Sequence, residues 1–374
     1  MTRRIVAIFL LLLLMCLVIV FARLFYISPG KPKPFLDAQG MLIPGSIAEK
    51  IETNINGVNQ GIILRGINTQ NPILLYVHGG PGIPEYALSE MYPTGLEDHV
   101  TICWWEQRGA GLSYDFEMNP RTITEEQLIQ DTLEVTRYLR RRFGQDRIYL
   151  LGHSWGSYIA IQAAARFPEY YHGYIGVSQV SVTRQSELLG YQYLMNLYAA
   201  SNNSRMMRKL QAFPVEESDD ALYDYFLSPF RDKTLHSLKL GTMYAMRSRF
   251  WGTLVPIIQC RAYTLGEKIR LWRSAVFIQR STRLFREYFE ADLPSRISGL
   301  PIPLYFISGI YDQTVSGNLA EDMLKNLRAP RKGFYAFTQS ANSPIFEEPR
   351  RFLQIITGEV LKGMVNSADG SYTP

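Results

Sequence analysis

Three short, predominantly apolar runs, each ending in a glycine-bearing turn, limit what this chain can fold into more than any other feature. Ile73-Leu74-Leu75-Tyr76-Val77 runs into His78-Gly79-Gly80-Pro81-Gly82, and Val100–Trp105 into Glu106-Gln107-Arg108-Gly109. Ile148-Tyr149-Leu150-Leu151 runs into Gly152-His153-Ser154-Trp155-Gly156. A strand that is apolar at every position must be buried on both faces, and this happens in a mostly parallel sheet covered on each side by helices. The intervening segments fit that scheme. Thr124 and Gln127 predict a capping box at the start of a helix, Leu128, Leu133, Val135 and Leu139 follow its period, and Gly144 stops it. Ala160, Ala163, Ala164 and Ala165 mark a small-residue helix after the third run. Strands are expected at Ile47–Asn54, Gln60–Ile67, Tyr174–Val180, Leu304–Ser308 and Phe334–Phe337, with late helices over Leu319–Leu327 and Pro349–Met364.

The alternation stops between about Val182 and Pro294, where the texture is helical and rich in Tyr, Arg and Leu. This stretch is read as an inserted helical cap, residues 183–294, dividing a core of 46–182 and 295–374. Upstream, the punctuated segment 28–45 reads as a linker. Before it, Arg3 and Arg4 precede an apolar run from Ile5 to Phe21 that Ala22, Leu24, Phe25 and Tyr26 extend around Arg23. At ~1.5 Å per residue this nearly spans a ~30 Å hydrocarbon core. Residues 1–27 are therefore expected to be a single-pass membrane anchor, with a cleaved signal peptide as the alternative. Phe-Ala-Arg-Leu-Phe-Tyr offers no small-residue cleavage site, which favours the anchor. The folded part is expected outside the cytoplasm, although Arg23, Lys31 and Lys33 oppose the N-terminal arginines in a positive-inside count.

Bulk properties narrow the function classes. A net charge of +5 spread along the chain is not the aromatic-interleaved basic face of a nucleic-acid binder. Three cysteines, one of them Cys16 inside the apolar run, build neither a disulfide framework nor a zinc site. No metal and no cofactor are expected.

The chemistry-bearing motifs are turns at strand ends. Gly152-His153-Ser154-Trp155-Gly156 has the form of a nucleophile elbow, in which small residues two positions either side let a strand turn sharply into a helix and lift the serine above the sheet. His78–Gly82 suits an oxyanion hole, with an N–H from Gly79 or Gly80 joined by that of Trp155. His78 and His153 are expected to brace these loops rather than act as bases. Asp312, at the end of the Leu304–Ser308 strand, is the candidate acid by chain order. Glu216-Glu217-Ser218-Asp219-Asp220 could attract a peptide amine, although an N-cap at Ser218 with two acids beside the helix dipole accounts for it more simply.

Together, His78–Gly82, Trp105-Glu106-Gln107-Arg108-Gly109-Ala110-Gly111-Leu112-Ser113, Gly152–Gly156 and the Gly309–Asp312 loop resemble the prolyl-aminopeptidase (proline iminopeptidase) family of α/β-hydrolases. The resemblance runs from about Pro72 to the last helix, the cap matching in position only. It implies the α/β-hydrolase fold and a Ser-His-Asp enzyme that removes an N-terminal residue, often proline, from short peptides or amides through an acyl-enzyme on Ser154. One position departs. The family's histidine lies in a segment resembling Ser-x-His-x-Pro-x-x-Glu-Glu-Pro, and this chain reads Ser340-Ala341-Asn342-Ser343-Pro344-Ile345-Phe346-Glu347-Glu348-Pro349. An amide at 342 cannot take the serine proton at neutral pH. Loss of a triad member commonly leaves only ~10³–10⁴-fold acceleration over water. No obvious substitute base is expected: His99 and His172 precede their strands and belong at the wrong end of the sheet, and His236 alone lies in the cap, from which it could dip into the site. Three functional readings stand: a weakened membrane-anchored serine hydrolase, a non-catalytic relative binding peptides or small amides, and an esterase on the same scaffold. The expected partners are a small peptide or amide and the membrane. The sequence assigns no oligomeric state.

Overall fold

The computed structural model describes residues 2–246, 248–369 and 371–372. It opens with helix α1 (Thr2–Tyr26), whose segment Ile5–Tyr26 is long and apolar enough to cross a membrane and is unburied. Strands β1 (Ile47–Ile55), β2 (Val58–Gly66) and β3 (Ile73–Val77) follow, then α2 (Tyr86–Met91), β4 (Thr101–Trp105), α3 (Glu125–Phe143) and β5 (Ile148–His153). Next come α4 (Trp155–Arg166) and β6 (Tyr171–Val177). The stretch read as a cap forms α5 (Thr183–Ala200), α6 (Ser204–Gln211), α7 (Asp219–Leu227), α8 (Pro229–Ser237), α9 (Arg249–Gln259), α10 (Leu265–Ser281), α11 (Leu284–Phe289) and α12 (Leu293–Arg296). The chain returns to the sheet with β7 (Leu304–Gly309), α13 (Gly317–Asn326), β8 (Lys332–Phe337), α14 (Pro344–Glu347) and α15 (Pro349–Gly358).

The eight strands run in the order β1-β2-β4-β3-β5-β6-β7-β8. β1 pairs with β2, and β2 with β4, antiparallel; the remaining pairings are parallel. The order reverses at β3, whose neighbours are β4 on one side and β5 on the other. Loops leaving β3 and β5 therefore diverge at one point of the sheet's carboxyl edge, the usual place for a ligand in an open α/β sheet. The register pairs Val77 with Gly152, which sets the two glycine-rich turns side by side. All five residues of β3 and of β4 are buried, as continuous apolar strands require.

Three local expectations are corrected. β6 begins at Tyr171 and ends at Val177, three residues ahead of the expected Tyr174–Val180. Ser178 adopts φ +47°, which turns the chain out of the strand, while Tyr171 pairs with Ile148 although an exposed His172 interrupts the apolar pattern. Thr124 caps α3 by accepting from the Gln127 N–H, but the Gln127 amide donates to Asp131 and the reciprocal half of the box is not made. A complete capping box instead opens α10, between Thr264 and Glu267. The last α-helix stops at Gly358, and a 3₁₀ turn over Val360–Lys362 replaces the expected continuation to Met364.

Candidate active site

The site is assembled by four strand ends. After β5, Ser154 stands at φ +50°, ψ −121°, a strained conformation for a residue with a Cβ, worth about 1–3 kcal/mol. The turn is held by the Ser154 N–H donating to Val177 O at 2.8 Å and by the Ser157 N–H and hydroxyl donating to Ser154 O at 2.8 and 2.6 Å. Gly156 has to be glycine, because a Cβ there would lie 2.0 Å from Val77 O as α4 crosses β3. The Ser154 side chain lines a cavity above the turn.

Asp312 follows β7 and is buried. Its Oδ1 accepts from Thr314 N–H (2.8 Å), Thr314 hydroxyl (2.6 Å) and Val315 N–H (3.0 Å), and its Oδ2 accepts from Asn342 Nδ2 at 2.8 Å. Burial raises its pKa, against the hydrogen bonds from Thr314, Asn342 and Val315 that favour the carboxylate. Asn342 thus makes the bond to the acid that a triad imidazole would make, and offers nothing basic on its other side. The loop that carries it arches over β7, where a Cβ on Gly309 would meet Ala341 O at 2.1 Å. Glu347 and Glu348 pin that loop from below. Glu347 accepts from Ala341 N–H (3.0 Å) and Ser343 N–H (3.2 Å), and Glu348 from Gln339 N–H and the Ser340 hydroxyl, both at 2.8 Å. Burial pushes the Glu347 carboxyl up to about 7, opposing the backbone N–H groups that favour its charged form.

Beneath the serine lies a buried network that no sequence pattern announced. His153 Nε2 is 2.7 Å from Asn342 O, an acceptor only, so it donates there. His153 Nδ1 lies 2.9 Å from both oxygens of Glu85, which also accept from Tyr76 OH (2.8 Å) and Gly79 N–H (3.2 Å). His153 and Glu85 thus form a buried histidine–carboxyl pair beneath the serine. Burial alone would lower the His153 pKa, and Glu85 with the Asn342 carbonyl reverses this and raises it. Burial would raise the Glu85 pKa, and the histidine holds it down. His78 stays neutral, its pKa lowered by burial, with Nε2 accepting from Gln107 N–H at 3.2 Å. Both histidines therefore brace loops, as expected. The Gly79 N–H is engaged by Glu85, while Gly80 lines the same cavity as Ser154.

Glu106-Gln107-Arg108 is structural throughout. Glu106 accepts from Leu112 N–H and, at 2.6 Å, from Tyr263 OH of the α9–α10 turn, and burial lifts its carboxyl to about 7. Gln107 bridges His78 O (2.7 Å) and the Trp155 indole (3.1 Å). Arg108 forms a buried bidentate pair with Asp131 of α3, at 2.7 and 2.9 Å.

A cavity of about 440 Å³ opens above Ser154 and Asn342, lined from below by Gly80 and Glu85 and from above by residues of α5, α8, α9 and α10. His236 and Asp232 line it too, as does Glu187. His236 Nδ1 lies 2.7 Å from Asp232 O and its Nε2 accepts from Thr242, so both ring nitrogens are engaged, and burial lowers its pKa. Glu187 is bound by Arg231 through both guanidinium nitrogens facing it. Glu216–Asp220 lie elsewhere: Ser218 caps α7 through Ala221 N–H at 3.1 Å, and Asp219 and Asp220 pair with Arg184 and Arg286.

Comparison with known proteins places this geometry in a family. The α/β-hydrolase fold model matches residues 72–323. A probable aminopeptidase of Bacillus subtilis, YbaC, is 28% identical over 318 residues, covering 83% of this chain and 96% of that protein. A proline iminopeptidase of Saccharolobus solfataricus is 26% identical, over 81% of this chain and 89% of that protein. In fold, the crystal structure of a membrane phospholipase A, described as a bacterial virulence factor, aligns with a TM-score of 0.59 at 16% identity, over 97% of this chain and 99% of that one. With the elbow, the reversed strand order at β3 and these matches together, the chain belongs to the α/β-hydrolase fold family.

Proposed function

We propose that this protein is a membrane-anchored serine hydrolase for small aminoacyl or acyl compounds, slow because its triad has lost the base. In this reading the Ser154 oxygen attacks the substrate carbonyl carbon, and the N–H groups of Gly80 and Trp155 receive the developing oxyanion. Cleavage of the carbonyl bond releases an amine or alcohol, and water then hydrolyses the acyl-serine. With Asn342 beside Asp312, the serine proton passes to cavity water instead of an imidazole, which removes a contribution typically worth ~10²–10⁴-fold. The single observation that carries the reading is the strained Ser154 at the strand-to-helix turn, lining a cavity of about 440 Å³. The aminopeptidase and proline iminopeptidase relatives point to peptide-like amides as substrates. An esterase reading draws on the same cavity, whose lining includes Leu88, Ile257 and Phe285.

A second reading, a non-catalytic binder of peptides or small amides, is favoured by one observation: Asn342 satisfies Asp312 so well that nothing in the site calls for a proton relay. Steady-state assays separate the two. The full chain in detergent, given a panel of aminoacyl anilides and short-chain nitrophenyl esters, should show slow turnover that Ser154→Ala abolishes. Saturable binding with no turnover would establish the second reading, and turnover equal in the two proteins would overturn the role of Ser154.

A further inference from the structure

The end of α1 is fastened to one part of the cap. Lys268 of α10 donates to Ser28 Oγ at 2.8 Å, to Ile258 O at 2.7 Å and to Ile27 O at 3.3 Å. Lys31 N–H donates to Arg261 O at 3.1 Å, and the Arg261 guanidinium lies 6.0 Å from the Tyr26 ring. Leu265, the first residue of α10, shares an apolar groove with Leu17, Phe21 and Phe25 of α1. The α9–α10 pair therefore sits where a membrane-spanning α1 would leave the hydrocarbon.

That pair turns an apolar face to its surroundings. Phe250, Trp251 and Val255 of α9 are 37–61% exposed, and Ile269 and Val276 of α10 are 61% and 48% exposed. Phe250 joins the two helices, its ring 5.1 Å from Trp251 and 5.6 Å from Trp272. Ile269, Trp272, Arg273, Val276 and Arg280 are spaced at three and four residues along α10 and so share one side of it. From 249 to 283 the sequence carries seven basic residues (Arg249, Arg261, Lys268, Arg270, Arg273, Arg280, Arg283) against one acid, Glu267. Exposed aromatic and aliphatic side chains set among arginines match the acyl–headgroup boundary of an anionic leaflet.

We propose that the α9–α10 face lies on the bilayer that holds α1, seated in the headgroup zone of anionic phospholipids. Phe250, Trp272 and Val276 also line the Ser154 cavity, so its rim belongs to the docked face. Amphiphilic molecules can then pass from the leaflet into the cavity without crossing bulk water. The inference rests on the anchor reading of α1, and makes no use of the catalytic one.

Spin-label accessibility in the full chain, reconstituted into vesicles of phosphatidylcholine and phosphatidylglycerol, tests it. Native Cys16 on α1 reports the anchor, while Trp251→Cys, Val276→Cys and, as a remote site on α13, Asn326→Cys are labelled in a Cys16→Ser background. Labels at 251 and 276 should collide with oxygen in preference to a water-soluble nickel chelate, as a face sunk ~5–10 Å into the interface would. The label at 326 should show the reverse preference. A label at 276 should return to the aqueous pattern when Phe250→Glu and Trp251→Glu are added. Water-like labels at 251 and 276 beside a lipid-embedded Cys16 would overturn the docking face and leave the anchor standing. A water-like Cys16, or a chain that does not float with the vesicles, would overturn both. Dipolar coupling between labels at 251 on two copies would assign the face to a homodimer and overturn the proposal.

Discussion

Replacing Asn342 by histidine should restore the missing half of the proton relay. The backbone at 342 does not depend on its side chain: His153 and Ser178 donate to Asn342 O at 2.7 and 2.9 Å, and Glu347 holds the N–H groups on either side. Asn342 Nδ2 already stands 2.8 Å from Asp312 Oδ2, so an imidazole N–H placed there meets the same acceptor, and the ring's other nitrogen then faces the cavity. Histidine adds two heavy atoms to the side chain, little beside about 440 Å³ of open space. A base so placed is typically worth ~10²–10⁴-fold, or about 3–5 kcal/mol of barrier. Misplacement by about an ångström can forfeit 10²-fold, so a gain of at least roughly tenfold is expected on proline anilides or short esters. The rate should also acquire a limb that rises with pH through the histidine's titration, near 6.5 when unperturbed and higher beside the Asp312 carboxylate. Asp312→Ala or Ser154→Ala in the same background should cancel the gain. A folded Asn342→His protein with an unchanged rate and no new pH limb would refute the reasoning that 342 is the vacated base position.

Two further substitutions probe the frame of the site. Glu106 has a folded pKa raised to about 7 against an ordinary 4.5, so its contribution to stability is greatest below pH 4.5 and is lost as pH rises towards 7, by about 3 kcal/mol; Glu106→Gln should flatten that fall in denaturant melts between pH 5 and 8, and an unchanged slope would count against it. Asp131→Ala strands the buried Arg108 guanidinium and the amide of Gln60, and should cost about 3–5 kcal/mol by the same melts, whereas a loss below 1 kcal/mol would mean the pair is solvated.

Much of this site was legible because it is written in short local patterns. The elbow at Gly152–Gly156 and the turn at His78–Gly82 demand specific backbone shapes, and the continuous apolar runs before them leave no option but buried strands. Asn342 could be found because Ser340, Pro344, Glu347, Glu348 and Pro349 preserve the frame around it. Glu85 was invisible for the opposite reason: it sits in a featureless Ile83-Pro84-Glu85 segment and acquires its role from His153, 68 residues away. The competition for the Gly79 N–H follows from that contact and could not be read from glycine spacing. The start of β6 was misplaced because Tyr171-His172-Gly173 breaks the apolar run that marks its neighbours. In the cap, the joining of Lys268 to Ile27 and Ser28 brings together residues about 240 positions apart, beyond any periodicity.

The proposed function requires Ser154 to be presented as a nucleophile beside oxyanion donors while the base is gone. The rate at which a fluorophosphonate probe modifies Ser154 tests this most directly, because phosphonylation needs the nucleophile and the donors but neither a cognate substrate nor deacylation. The full chain should be labelled at Ser154 alone, far more slowly than a serine hydrolase with an intact triad, and Ser154→Ala should not be labelled. Fast, complete labelling that disappears in His236→Ala would contradict the claim by showing that the cap supplies a base. No labelling of a folded protein after prolonged exposure would contradict it from the other side, leaving a cavity that binds without a competent nucleophile.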